Sequence, residues 1–319
     1  GAHVNMKTIV FGKLARAALA ALPVIAAMAA SGGAQATPVV GSTVSPLVVA
    51  GAPPDSPANR VDSNTAASPF SDVVSINIRY DGQSFNCSGT LVSKRDVVTA
   101  GHCVDTNGQG QLIDINQAGN DVRVVFNASA VVGSPGRAIV TADKVSMNPN
   151  YQGFGNCPYA TTTDFCVNDD VAVIHLNQDA PADAKIYRTY GGDISANQLI
   201  TVVGYGRSGD GINGYTTGPD FRIKRSGQNV IDLFDRDDEQ HFAGGPQEVW
   251  YADFDGNGQD SFCTLLNVCS AVLANDKEAN IGGGDSGGST FMQIGDEYFL
   301  IGNNTFGGTF AGQIPGSFG

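Results

Sequence analysis

From residue 72 onward the chain is written in short runs of apolar and β-branched residues, and this limits what it can fold into. Val74, Ser75, Ile76, Asn77 and Ile78 alternate with period two, and strand-like runs follow at 89–92, 97–100, 122–126, 171–176 and 199–203. A period of two puts alternate side chains on one face of a strand, whereas a helix repeats near 3.6. With 41 glycines in 319 residues, nearly twice the usual share of about 7%, the runs read as an all-β fold of many strands joined by tight turns. No heptad, repeat or long amphipathic helix is present, which excludes coiled coils and solenoids. Hydrophobic residues at 42% suffice for a buried core, and a net charge of -13 argues against nucleic acid as a partner.

The beginning of the chain reads as processing signal rather than fold. Met6 is followed by Lys7, Lys13 and Arg16, an apolar stretch over 17–30, and Ala34-Gln35-Ala36, a small-x-small site. Residues 6–36 are therefore expected to be a signal peptide, with 1–5 an upstream remnant. The apolar stretch is shorter than the ~20 residues a membrane anchor needs. Residues 37–60, rich in Pro, Ala, Ser and Val, read as a propeptide or flexible lead-in, with the folded region over 61–319. The expected location is outside the cell or in the periplasm, with no membrane span in the mature chain. Disulfides persist there, and the six cysteines are even in number: Cys87, Cys103, Cys157, Cys166, Cys263 and Cys269. Fifteen pairings exist; the three local ones, 87–103, 157–166 and 263–269, need the least loop closure. No pair has the C-x-x-C spacing of zinc or redox sites.

Three segments carry chemistry. Gly282 to Gly288 surround Asp285 and Ser286 with glycines, so main-chain amides can approach a reacting centre. Ser286 is a candidate nucleophile, with the amides of Gly284 and Ser286 as candidate oxyanion donors; the plain alternative is a Gly-Ser turn. Thr99-Ala100-Gly101-His102-Cys103 puts His102 at a strand end beside a proposed disulfide, where a general base could be fixed. Asn168-Asp169-Asp170-Val171-Ala172-Val173 opens an apolar strand with an acid able to orient an imidazole.

Taken in order, these segments resemble those of the trypsin/chymotrypsin-like serine proteases. The family's T-A-A-H-C reads Thr99 to Cys103, its G-D-S-G-G is complete at Gly284 to Gly288, and its acid-then-aliphatic strand selects Asp170 over Asp169. Cys87-Ser88-Gly89-Thr90-Leu91-Val92 is similar to C-G-G-[ST]-L-[IV], and Val203-Gly204-Tyr205-Gly206 to V-x-G-[WY]-G. The resemblance implies two antiparallel six-stranded β-barrels with the site between them. It also implies a His102-Asp170-Ser286 triad that hydrolyses peptide bonds of a protein or peptide substrate through an acyl-enzyme, with no required cofactor. Asn280 matches the pocket floor, Gly307 and Gly316 the small wall positions, Phe306-Gly307 the pocket-wall pair, and Thr305 the residue that bonds the triad acid. As a zymogen, the chain is expected to be cut between Arg60 and Val61, the new N-terminus pairing with Asp285; Val48-Val49-Ala50-Gly51 is the alternative start.

Two departures stand out. The family's cysteine two residues before G-D-S-G-G is Gly282 here, which removes a brace from the pocket. The chain stops just after Pro315-Gly316-Ser317-Phe318, where the family continues through a final strand and helix, about 25 residues by typical element lengths. Outside the resemblance, Asp253, Asp255 and Asn257 form a D-x-D-x-N-G pattern like a calcium loop, but the twelfth position is Thr264 rather than an acid, so a solvated hairpin is the favoured reading, with calcium the alternative. His175 and His241 lack ligand spacing and read as structural or surface residues. A non-catalytic binding protein of the same fold is the rival reading. An α/β-hydrolase is excluded because the candidate histidines precede Ser286.

Overall fold

The computed structural model describes residues 48–130, 136–153, 155–158, 167–218, 220–255, 259–282 and 284–307. Strand β1 (Val73–Tyr80) turns back into β2 (Gln83–Leu91) through Asp81-Gly82, both with positive φ (51° and 71°). That is the two-residue hairpin geometry for which Asp-Gly is selected, because its twist matches that of the strands. With β3 (Asp96–Thr99), β4 (Asp121–Phe126), β5 (Ala138–Met147) and β6 (Ala172–Leu176), these form a closed barrel in the order β1-β2-β3-β6-β5-β4. Alternation works as expected: Ile76, Ile78, Val122, Val124, Ile174 and Leu176 point inward and are buried together.

The second half contains β7 (Leu199–Gly204), β8 (Ser208–Asp210), β9 (Gly214–Thr217), β10 (Arg225–Val230), β11 (Leu233–Arg236), β12 (Gln247–Tyr251), β13 (Ser289–Ile294) and β14 (Glu297–Asn303). Among the described residues these make a four-stranded sheet, β10-β7-β13-β14, and two ribbons, β11-β12 and β8-β9. The α-helix described here, α1 (Ser261–Leu266), has six residues, so the fold is all-β. The expected final strand and Gly316 lie outside the described residues.

A shared seam joins the halves. Val73 and Val125 of the barrel pack with Val203, Tyr205, Phe291 and Leu300, and the Tyr205 hydroxyl donates to the Val73 carbonyl at 2.8 Å. Phe70 stacks on Phe291 with centroids 5.7 Å apart. The Cys87–Cys103 and Cys263–Cys269 bridges are formed as expected; Cys157 is disulfide-bonded too, and Cys166 lies outside the described residues.

One expectation about the lead-in is corrected. Residues 48–60 are packed, not flexible: Val48 joins Ile200, Val202 and Ile231 in a core cluster, and Val48, Val49 and Ala50 are fully buried. Apolar side chains at this point bury surface that a solvated linker would leave exposed. No helix among the described residues is long and apolar enough to cross a membrane.

Candidate active site

His102 is placed by three constraints. Strand β3 ends at Thr99, the chain enters a 3-10 turn at Gly101–Cys103, and the bridge to Cys87 ties that turn to β2. Asp170 arrives from the start of β6, after Asp169 turns the chain with φ 63°. One carboxylate oxygen, Oδ2, lies 2.7 Å from His102 Nδ1, and the other accepts the His102 main-chain N–H at 2.7 Å. This two-point grip orients both the ring and its backbone. The Asn303 side chain secures the Asp170 carbonyl at 3.0 Å. Among the described residues no hydrogen bond joins the Thr305 hydroxyl to Asp170; Asn303, at the end of β14, bonds the Asp170 main chain instead of its carboxylate.

Ser286 comes from the loop ahead of β13 and is 6% exposed. The next residue, Gly287, has φ 76°, and a Cβ there would stand 2.0 Å from Thr99 Oγ1 and 2.8 Å from the Ala100 nitrogen. Only glycine lets the loop press so closely on the strand end that leads into His102. The Ser88 N–H donates to the Ser286 carbonyl at 2.8 Å, and the Gly287 N–H to the Asn304 carbonyl at 2.7 Å. The Ser88 hydroxyl donates to the Gly284 carbonyl and accepts the Tyr205 N–H, both at 3.0 Å. Ser88 and Asn304 escaped sequence reasoning. The signal for Ser88 was a side chain at a position where the similar motif has glycine. No acceptor for the Gly284 and Ser286 N–H groups is found among the described residues.

Asn280 lies in the segment that leads into this loop. Its carbonyl accepts the Val49 N–H at 3.0 Å, and its side-chain oxygen accepts the Ile281 N–H at 2.8 Å. Gly307 lies against the Ile281 carbonyl, and Phe306 meets Tyr251 edge-on at 6.1 Å. Beside Gly282, where a cysteine was missed, lies the Tyr215 ring; a Cβ on Gly282 would come 2.9 Å from it. Burial pushes the Tyr215 hydroxyl up to about 12.

The surroundings of the expected Arg60–Val61 cut are those of a packed segment. Arg60 is 5% exposed, paired with Asp55 at 2.7 Å, and donates to the carbonyls of Lys277, Asn275 and Glu278. A protease recognising Arg60 would have to extract a buried guanidinium. Val61 is 49% exposed and bridges to Arg225, not to Asp285. Asp285 is buried; its oxygens accept the N–H groups of Gly206 and Gly282 at 3.1 and 3.0 Å. Burial drives its carboxyl well above the ordinary range, against the Gly282 N–H and the Arg225 charge. At the alternative start, the Val48 carbonyl accepts from Ser208, two residues past the Gly206 whose N–H meets Asp285.

Acidic groups gather at two further places. Beside the Asp170 strand, Asp169, Asp238, Glu239 and Glu248 approach one another, and burial together with Glu239 and Asp169 pushes Asp238 up to about 8. Of the calcium-loop residues, Asp253 and Asp255 meet Asp260, while Asn257 lies outside the described residues. Burial pushes Asp253 and Asp255 up to about 7. His175 faces Asp96 across β3 and β6 at 2.8 Å.

A family model described as Trypsin matches residues 60–221, just over half of the chain, which includes His102 and Asp170. No curated protein matches. A solved structure described as "Structure of GrC" is 16% identical, with 51% of this chain and 62% of that chain covered and a TM-score of 0.35. The chain thus spans less than two thirds of that neighbour, and the likeness is too slight to bear on function.

Proposed function

The chain belongs to the trypsin family, and on that premise we propose that it is a secreted serine endopeptidase working through His102, Asp170 and Ser286. The observation that carries this reading is the His102–Asp170 contact, made at the strand end on which Gly287 packs. In the proposed reaction Ser286 Oγ attacks the substrate carbonyl while His102 Nε2 takes its proton. Asp170 Oδ2 holds the Nδ1–H tautomer and stabilises the imidazolium that forms. The amides of Gly284 and Ser286 receive the oxyanion. His102 then protonates the leaving amine, and water repeats the sequence on the acyl-enzyme.

The neutral Asn280 at the pocket floor favours uncharged side chains, since an amide does not offset the desolvation of a buried cation. The mature chain is proposed to begin at Val48, whose new ammonium would supply a charge for Asp285. The direct test is labelling with a serine-directed phosphonate followed by peptide mapping. The label is expected on Ser286 and absent from Ser286→Ala, which should also lose at least ~10³-fold in hydrolysis while keeping its fold. An unlabelled, inactive protein would instead favour a non-catalytic binding role.

A further inference from the structure

Below the segment that carries Asn280, acidic side chains from three distant parts of the chain meet inside the protein. Asp232 follows β10, Asp253 and Asp255 follow β12, and Glu278 stands two residues before Asn280. Their exposures are 5%, 6%, 1% and 2%. Three of them are aimed by the main chain. The Asp253 N–H donates to Asp232 Oδ2 at 3.0 Å, the Phe262 N–H to Asp253 Oδ2 at 2.6 Å, and the Asp255 N–H to Glu278 Oε2 at 2.9 Å. Each anchored carboxylate keeps a second oxygen. Asp232 Oδ1, Asp253 Oδ1, Asp255 Oδ1 and Glu278 Oε1 are all buried without a hydrogen-bond partner. Asp260, the N-cap of α1, contributes an oxygen within 4.8 Å of those of Asp253 and Asp255.

Among the described residues none of these five carboxylates forms an ion pair with Lys, Arg or His. Buried carboxylates persist when paired or when they coordinate a metal. The donors are all oxygen, and the nearby Cys263 and Cys269 are bonded to each other and offer no thiolate. Hard anionic oxygens without nitrogen or sulfur suit Ca²⁺, which takes about 6–8 oxygen ligands in flexible geometry, better than Zn²⁺. We propose that Asp253, Asp255 and Asp260 form a calcium site, with the buried Asp232 and Glu278 carboxylates adding negative charge beside it.

The consequence is a tether. Arg60 holds the carbonyls of Lys277 and Glu278 at 3.0 and 2.7 Å, and the Glu278 side chain accepts the Asp255 N–H at 2.9 Å, so a cation that fixes the 253–255 turn also fixes this segment. Ligation thereby braces a pocket that lacks the cysteine at Gly282. This effect on substrate rests on the protease reading; the binding of calcium does not.

The test strips the purified protein with a chelator and titrates it with Tb³⁺ while exciting Trp250, the single tryptophan, three residues before Asp253. Sensitised emission is expected to saturate and to be displaced by Ca²⁺, and Ca²⁺ is expected to raise the melting temperature of the stripped protein. Asp255→Asn and Glu278→Gln should each weaken binding by about tenfold or more, because negative charge at and beside the site sets affinity. Both should fold at least as stably as stripped wild type, since each removes one uncompensated charge. Asp169→Asn, in the other acidic group, should bind as wild type does. The proposal is overturned if Ca²⁺ at millimolar concentration does not shift the melting temperature, or if the first two variants bind as tightly as wild type.

Discussion

Replacing Ser88 with alanine removes a single hydroxyl from the join between the two halves, and its cost can be worked out. Ser88 is fully buried, and its Oγ holds the Tyr205 N–H and the Gly284 carbonyl, each at 3.0 Å. Alanine strands the buried Tyr205 N–H, which costs about 1–3 kcal/mol, and forfeits the bond to Gly284, worth about 0.5–1.5 kcal/mol. Together Ser88→Ala should lower the unfolding free energy by about 1.5–4.5 kcal/mol. The Ser88 N–H to Ser286 bond is main-chain and survives, so the nucleophile loop should keep its place while the Gly284 peptide loosens. Complete loss of one oxyanion donor costs about 3–4 kcal/mol of transition-state stabilisation. A loosened donor should therefore lower kcat by roughly 10- to 100-fold with little change in KM. Urea unfolding followed by tryptophan fluorescence, with kcat and KM on a peptide substrate, reads both effects. An unchanged midpoint together with unchanged kcat would refute the role assigned to this hydroxyl.

Asp170→Asn should preserve the fold yet reduce kcat by about 10⁴-fold, because an amide facing Nδ1 selects the wrong imidazole tautomer; a loss below tenfold in steady-state assays would contradict the assignment. Arg60→Met should cost about 3–5 kcal/mol by leaving Asp55 buried and unpaired, and Asp55→Asn in the same chain should recover part of it in denaturant titrations. Pairing with Arg60 and the Gly51 N–H leave the Asp55 carboxyl below its ordinary value despite burial. Its contribution is therefore present above the unfolded pKa near 3.8 and lost as pH falls through the lower folded value, and wild type should lose stability over that range more steeply than Asp55→Asn/Arg60→Met. Asn280→Asp should move cleavage preference toward Arg and Lys in a peptide-library profile, and an unaltered profile would remove Asn280 from the pocket floor. N-terminal sequencing of active protein should begin at Val48, and a start at Val61 would reverse that choice.

What was legible in the sequence follows from distance along the chain. Asp81-Gly82 specifies its own hairpin, the alternation in 74–78 specifies its buried face, and each observed disulfide closes a short loop. His102 and Asp170 were legible because each is flanked by a run of residues whose types are individually constrained. Arg60, a basic residue before an aliphatic one, reads as a cleavage site in the sequence, and its packed surroundings were not legible there. Its partner Asp55 was only five residues away, but the carbonyls of 275–278 that complete its cage are more than two hundred residues distant. The acidic cluster was half visible for the same reason: Asp253 and Asp255 share a recognisable turn, whereas Asp232 and Glu278 join them only through the tertiary fold. The Asn303 bond to the Asp170 main chain was not legible because it joins residues 133 apart in the chain.

The seam also gives the molecule a modular logic. The 177–198 connection separates a piece containing His102 and Asp170 from one containing Ser286, and the Ser286 carbonyl takes its hydrogen bond from Ser88 on the other piece. Severed within that connection, neither polypeptide would hold all three residues of the proposed triad, and the serine loop would take its shape only as the two docked. Turnover would then count encounters between fragments, making the pair a natural starting point for a split reporter whose signal is chemistry rather than light.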